Sequence, residues 1–349
     1  MNSRERVLEM LQGRQVDRIP CYSGMGNVTL AGLEQYGYRF CDVHSNAGMM
    51  ADAAASSYKL FGYECAVAPF DLCVEAEAVG CSINDYEAVN AILYPTIREK
   101  ISEDLDQLLA YPLPADVASR GRVPLVCEAL RLLRQDIGAE VAIGAYVLGP
   151  YTLAGQLTDL DKLFKLTYKK PDLVNAVLDR LADVTIAVAG AYRAAGADYL
   201  CIREMGATTD VLGPRLFDKT ISPHLKKVSA ACGNFPTILH ICGGTNKIVK
   251  EMHGVGCSAI SVEAKNDLHK SRADIGQEAL IFGNVDSYNV LANGSPEEVE
   301  QSVLRSIEGG VDAVWPSCDI WPTAPLANLT AMVETVKKYG LEKWVRRAV

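Results

Sequence analysis

Eight short apolar runs recur along this chain, and helical patterns fill most of the gaps between them. They read RIPCYS (18–23), CAVAPFD (65–71), VAIGAYV (141–147), DYLCIRE (198–204), TILHIC (237–242), AISVEA (259–264), ALIFGNV (279–285) and DAVWP (312–316). Each is a continuous apolar stretch rather than an alternation of apolar and polar residues. A strand with one wet face alternates, whereas a parallel strand covered by helices on both faces does not.

The intervening segments carry helix signals. Pro171 opens a stretch in which Val174, Val177, Leu178, Leu181, Thr185 or Ile186, and Val188 keep helical spacing, and Gly196 ends it. Ser295, Pro296 and Glu298 make an N-cap, a first-turn proline and a capping box. Val299, Val303 and Ile307 form that helix's inward stripe, and Leu329, Met332, Val333 and Val336 do the same for a last helix over 325–339. Strands alternating with helices predict an α/β fold, a TIM (β/α)8 barrel. A doubly wound open sheet ranks second, because GMGNVTLAG (24–32) lacks most of a dinucleotide-binding fingerprint. The 349 residues suit one barrel domain, with about residues 1–110 partly elaborating its mouth as helices.

Composition excludes several functions. A net charge of −9 argues against a nucleic-acid partner, which would need a basic face. No run of apolar residues is long enough to span a membrane. The opening MNSRERVLEMLQG has no signal-peptide core, so a cytoplasmic protein is expected. Eleven cysteines, odd in number and without a CxxC pair, do not read as a disulfide framework. Most of them, including Cys65, Cys127, Cys201 and Cys257, are expected to be small buried hydrophobes. YKKPD and WVRRAV read as ordinary charged faces. His44, His224, His253 and His269 join no recognisable cluster; His224 and His269 are expected at the surface. Glu75 and Glu77 either line the mouth or are solvated.

The chemistry gathers at TILHICGG (237–244). Parallel barrels place function at the carboxyl ends of their strands. His240 and Cys242, two apart at such an end, point to one side and can converge on one ion. Zn²⁺ accepts both ligand types. Cys318 lies just beyond the eighth strand, in a segment stiffened by Pro316 and Pro322, and can lean over the same space. Glu263, ending the sixth strand, is a candidate fourth ligand or a supporting partner. A Cys₂His set with one open position is the catalytic kind of zinc site.

HICGG with its distant cysteine, VEAEAVGC (74–81), SVEAK (261–265), FGNVD (282–286), CDIWPTAPLANL (318–329) and the opening SRERVLEMLQGRQVDRIP together resemble the uroporphyrinogen decarboxylase superfamily, nearly end to end. Within it, the chain is similar to the corrinoid-dependent methyltransferases, including methylcobamide:coenzyme M methyltransferases. That resemblance implies a TIM barrel with a zinc site carried by His240, Cys242 and Cys318. It implies methyl transfer from methylcobalamin, held on a corrinoid carrier protein, to a small acceptor. The decarboxylases carry an arginine-bearing N-terminal motif, and RIPCYSGMGNV has none beyond Arg18, so decarboxylation ranks low.

Two acceptors stay open. Asp319 and Trp321 after Cys318, and Arg203 and Glu204 after the fourth strand, depart from the expected thiol-methylating pattern. A pterin needs a carboxylate or amide at its amino-pyrimidine edge and a flat apolar wall. Glu204, Asn284, Asp319 and Trp321 are groups of that kind, so tetrahydrofolate is the leading expectation. Asn284, Trp321 and Glu204 would then bind substrate, and Glu204 or Asp319 would take the released proton. The alternative is a zinc-held thiol such as coenzyme M. A non-catalytic tetrapyrrole binder ranks below both.

Overall fold

The protein is described by a computed structural model over residues 1–341; WVRRAV lies outside the described residues. The strands in chain order are β1 (Cys65–Ala68), β2 (Ser82–Asn84), β3 (Thr96–Glu99), β4 (Ala142–Leu148), β5 (Tyr199–Arg203), β6 (Thr237–Ile241), β7 (Ala259–Val262), β8 (Leu280–Val285) and β9 (Ala313–Pro316). Seven of them form one sheet in the order β1-β4-β5-β6-β7-β8-β9, and every pairing in it is parallel. β2 and β3 form a separate antiparallel hairpin that the hydrophobic pattern did not announce.

The run expected as the first strand closes the cylinder without being a full strand. Cys21 bridges Val314 of β9 in parallel, with Tyr22 N–H donating to Val314 O at 3.3 Å and Val314 N–H to Pro20 O at 3.0 Å. On its other side, Glu64 N–H donates to Cys21 O at 3.0 Å, just before β1. Two features shorten the ladder. Pro20 has no N–H to give, and the Cys21 N–H goes to the Glu64 carboxylate, at 2.8 Å, instead of to a backbone carbonyl. The sheet is therefore a (β/α)8 barrel whose first position is held by one bridge and one side chain.

The barrel interior is filled with rings. Tyr22 lies 5.3–5.6 Å, centroid to centroid, from Tyr199, Phe282 and Trp315, so four strand positions meet in one aromatic cluster. Gly144 on β4 makes room for it: a Cβ there would stand 2.5 Å from the Tyr199 ring. The helix Pro171–Ala194 buries Val174, Val177, Leu178, Leu181 and Val188 against the sheet. Pro296–Glu308 starts with the expected capping box of Ser295 and Glu298, and Leu326–Tyr339 buries Leu329, Met332, Val333 and Val336. All eleven cysteines are free; nine are buried, and only Cys242 and Cys318 are half-buried.

The N-terminal region divides between the two ends of the barrel. Helix Ser3–Leu11 lies at the amino end, with Arg4 N–H on Glu140 O at 2.8 Å and Arg4 Nη2 on Asp198 at 2.8 Å. The stretch from Gly24 to Asn46 and the β2–β3 hairpin lie at the carboxyl end, where Gly26 reaches Asp319 and His44 reaches Asp71. His224, expected at the surface, is buried and faces Asn175 Oδ1 at 2.8 Å, because its helix packs that side against Pro171–Ala194.

Glu64 is the pin of the closure. Its carboxylate is 1% exposed and takes Arg18 Nη1 at 2.8 Å, the Cys21 N–H, and Arg6. Removing one side of a buried, paired charge costs about 3–5 kcal/mol. Glu64→Ala is expected to lose about that much stability, read as a lower urea midpoint at unchanged slope; an unchanged midpoint would show that the closing segment holds without it.

Candidate active site at the carboxyl end of the barrel

The loops after the parallel strands share one rim. His240, in β6, is fully buried. Its Nδ1 faces Ser261 Oγ of β7 at 3.0 Å, which turns Nε2 toward Cys242 Sγ at 3.2 Å. Cys242 Sγ in turn lies 3.9 Å from Cys318 Sγ, beyond β9. The three expected side chains thus meet. Among the described residues they do not form a preset metal cage; they touch in a chain of hydrogen-bonded groups.

The backbone that carries them is fixed on both sides. Gly243 adopts φ +79°, and a Cβ there would strike Thr208 Oγ1 at 2.5 Å, so only glycine fits. Its N–H donates to Glu263 Oε2, and its carbonyl accepts Asn266 Nδ2 at 2.9 Å. Glu263 therefore stands beside the cluster with its carboxylate engaged by the turn that presents Cys242. On the other side, Cys318 N–H donates to Ser287 Oγ at 3.0 Å.

Protonation follows burial and contact. Burial, with the Arg203 cation close by, pulls the His240 imidazole down to about 3, so it is neutral at ordinary pH. The contact between the two sulfurs holds the Cys242 thiol above the usual range and Cys318 below it.

Of the other candidates, Asp319 adjoins the cluster. It receives Arg203 Nη1 and Nη2 at 3.0 and 2.7 Å and the Gly26 N–H at 2.6 Å. A cavity of about 290 Å³ reaches it, lined also by Phe70, Asp71, Tyr94 and Gln156. Glu204 is placed elsewhere. It is wholly buried, and its carboxylate accepts Tyr151 N–H at 3.0 Å, Thr152 N–H at 2.7 Å and Thr152 Oγ1 at 2.6 Å. It caps the helix Pro150–Leu157 and has no face toward the mouth. Asn284 faces the helix layer, its Nδ2 donating to Asn266 O at 3.0 Å and Glu263 O at 3.3 Å. Trp321 is 47% exposed and packs on Tyr288 at 4.9 Å. The four groups expected around a pterin edge are thus dispersed over separate neighbourhoods.

Three features escaped the sequence reading. Arg203, fully buried, pairs with Asp319 rather than with its neighbour Glu204. Ser261 orients the imidazole; its only signal was its place in SVEAK. His44, read as unclustered, is buried with Nδ1 3.1 Å from Asp71 Oδ2, and Arg122 grips the same carboxylate at 2.7 and 2.9 Å.

A model of the uroporphyrinogen decarboxylase (URO-D) family matches residues 2–339. The chain belongs to that family. Within it, the chain is similar to the methylcobamide:CoM methyltransferase MtaA of Methanosarcina barkeri, 34% identical over 340 residues that cover 96% of this chain and 97% of the relative. The MtbA enzyme of Methanosarcina acetivorans is 32% identical over 340 residues, covering 96% and 98%. A solved methyltransferase from Methanosarcina mazei superposes with a TM-score of 0.90 at 31% identity, over 97% of this chain and 99% of that one. Among the described residues, no helix is long and apolar enough to cross a membrane.

Glu75 is another buried carboxyl at this end. Its Oε1 accepts Leu148 N–H at 2.9 Å, and burial raises it to about 7. A folded-state value above the unfolded one means the folded form holds the extra proton, so stability falls as pH rises from about 4.5 to about 7. Glu75→Gln mimics the protonated form. Relative to the parent it is expected to gain on the order of 3 kcal/mol across that window, seen as a widening difference in Tm; a constant difference would refute the assignment.

Proposed function

We propose that this chain is a methyltransferase that takes a methyl group from a methylated corrinoid, carried on a partner protein, and gives it to a thiol. It is a methylcorrinoid-dependent enzyme of the URO-D family. The observation that carries the acceptor is the meeting of His240 Nε2, Cys242 Sγ and Cys318 Sγ at the rim, with steps of 3.2 and 3.9 Å. Tetrahydrofolate, the leading sequence expectation, is replaced by its thiol alternative. The relatives are named for coenzyme M, and Glu204, Asn284 and Trp321 do not share one pocket with Asp319.

The donor types, one imidazole and two thiols, are those zinc takes, although as they stand the three side chains do not form a preset cage. Ligand atoms around a tetrahedral zinc ion stand about 3.5–3.8 Å apart, close to the separations here. His240, Cys242 and Cys318 would hold it. Glu263, with its carboxylate on the Gly243 N–H, supports the turn rather than filling the fourth position. Bound there, zinc would hold the acceptor's sulfur as thiolate at neutral pH.

The chain's own residues supply placement. Ser261 fixes the imidazole, so Nε2 is the presented nitrogen. Gly243, Glu263 and Asn266 set the Cys242 turn, and Ser287 sets the Cys318 loop. A carrier protein docked over the rim would have to present its methyl–cobalt bond in line with the sulfur held there. The carbon–sulfur bond forms as the carbon–cobalt bond breaks. Cobalt leaves with the electron pair, passing from Co(III) to Co(I), and the thiol's proton goes to solvent.

Protein purified without chelator is expected to carry one zinc per chain and to convert methylcobalamin to its Co(I) form in the presence of a thiol. Cys242→Ser and Cys318→Ser should lose the metal and at least about 100-fold in rate. Methylation of tetrahydrofolate with no thiol turnover would overturn the proposal. A separate titration tests the imidazole's support: Ser261→Ala should weaken zinc binding by about 10–100-fold with the fold intact, and unchanged affinity would remove Ser261 from the site.

A further inference from the structure

One ion pair crosses the mouth of the barrel. Arg203 ends β5, and Asp319 follows β9. Those strands stand opposite each other: β6, β7 and β8 separate them one way round, and the Pro20–Tyr22 segment, β1 and β4 the other way. The guanidinium meets the carboxylate at 3.0 and 2.7 Å, a fork-to-fork pairing that fixes direction as well as distance. The arginine end is held firmly. Arg203 is wholly buried, and its guanidinium lies 4.5 Å from the centre of the Tyr146 ring on β4.

Each end of this crossbar stands beside a member of the sulfur cluster. Arg203 pairs in register with His240 across β5 and β6, and Asp319 follows Cys318 directly in the chain. Cys318 is hung from one side by Ser287, whose Oγ accepts its N–H at 3.0 Å. The crossbar holds from the other side, with Gly26 as a clip. Gly26 N–H donates to Asp319 Oδ1 at 2.6 Å, and Gly26 O accepts Ile320 N–H at 3.0 Å. A Cβ on Gly26 would stand 3.0 Å from Asp319 Oδ1, so glycine lets the clip close. The cavity of about 290 Å³ adjoins Asp319, so a segment released from Arg203 has space to move into.

We propose that Arg203 and Asp319 are positioning residues: their ion pair spans the mouth and sets the reach of Cys318 toward Cys242 and His240, so that two sulfurs and one imidazole can share an ion. The inference rests on the thiol reading above and deepens it. Both residues act through Cys318 rather than on the acceptor. Asp319 spends its oxygens on Arg203 and Gly26, so it takes placement instead of the proton-accepting role expected from the sequence. A loop tied on one side only would hold Cys318 Sγ in several places, and each extra place dilutes the one that completes the donor set.

The test is a double-mutant cycle on metal affinity, with Arg203→Met, Asp319→Ala and the double variant. Zinc affinity is read by competition with a chromophoric chelator. Each single variant should bind zinc at least about tenfold more weakly. The double variant should bind no more weakly than the weaker single, because one contact is lost only once. Cobalt(II) in place of zinc counts the sulfurs. Its thiolate charge-transfer band should fall by about half in Asp319→Ala, toward that of Cys318→Ser, as two thiolate ligands become one. A third readout needs no metal. Diamide accepts the two electrons and two protons released when two thiols join. It should form the Cys242–Cys318 disulfide, located by peptide mapping, at least about tenfold more slowly in the variants than in the parent. A merely structural ion pair would lower the urea midpoint and leave zinc affinity, cobalt band and disulfide rate at parent values. That result, or losses that add in the double variant, would overturn the proposal. Should Asp319→Ala or Arg203→Met not fold, Asp319→Asn carries the three readouts with the same expected directions, since it keeps the side chain's shape and removes its charge. A parent that binds neither zinc nor cobalt would sink the zinc-held thiol reading itself, and the disulfide rates would then decide the crossbar alone.

Discussion

Closure of the sheet is the constraint on which the site depends. Cys242 follows β6 and Cys318 follows β9, and β7 and β8 lie between them. Strands are spaced about 4.8 Å apart, so in a flat sheet the two positions would be about 14 Å from each other. Their sulfurs lie 3.9 Å apart because the sheet is bent into a cylinder. The bend is held where Pro20 to Tyr22 joins β9 to the start of β1, and Glu64 secures that joint by taking one N–H and two guanidinium groups out of water together. A charge buried at the amino end of the barrel thus helps set a distance between two thiols at the other end.

The carboxyl end gathers an unusual number of buried ionisable groups for one rim. Arg203 with Asp319, Arg122 with Asp71 and His44, and the capping carboxyl of Glu204 all gather at this end of the barrel. Each has an oppositely charged or hydrogen-bonding partner, as low dielectric demands, although His44 Nε2 and Arg203 Nε make no hydrogen bond of their own. The consequence is stiffness. Side chains locked by charge-assisted hydrogen bonds cannot reorganise when a substrate arrives, so the cluster of His240, Cys242 and Cys318 is presented in one arrangement. The two carboxyls that burial raises to about 7, Glu75 and Glu204, hold backbone N–H groups behind the rim rather than lining it.

What was legible in the sequence was what period and local chemistry fix. Parallel strands buried on both faces write themselves as apolar runs, and the Ser295 capping box and the Pro171 helix start are local signals that tertiary packing had no reason to override. The HxC pair at a strand end and a cysteine past the last strand were legible for the same reason, once a barrel supplied the geometry. The partners were not. Arg203 and Glu204 are neighbours in the chain, yet strand alternation sends one to Asp319 inside the barrel and the other to the cap of Pro150–Leu157. His44 and Asp71, twenty-seven residues apart, meet only because a loop folds back over the rim. The β2–β3 hairpin, short and largely exposed, has no apolar pattern to reveal it.

That difference explains why the acceptor was misjudged. Residue types around Cys318 suggested a polar edge for a flat heterocycle, and each group taken singly fits that role. Recognition, however, depends on which oxygens and N–H groups remain free after the protein has satisfied itself. Glu204 is consumed by a helix terminus, Asn284 by two carbonyls, and Asp319 by an arginine and a glycine N–H. The two sulfurs and the imidazole Nε2 at the rim are held chiefly by one another, so the chemistry the fold favours there is that of a soft nucleophile.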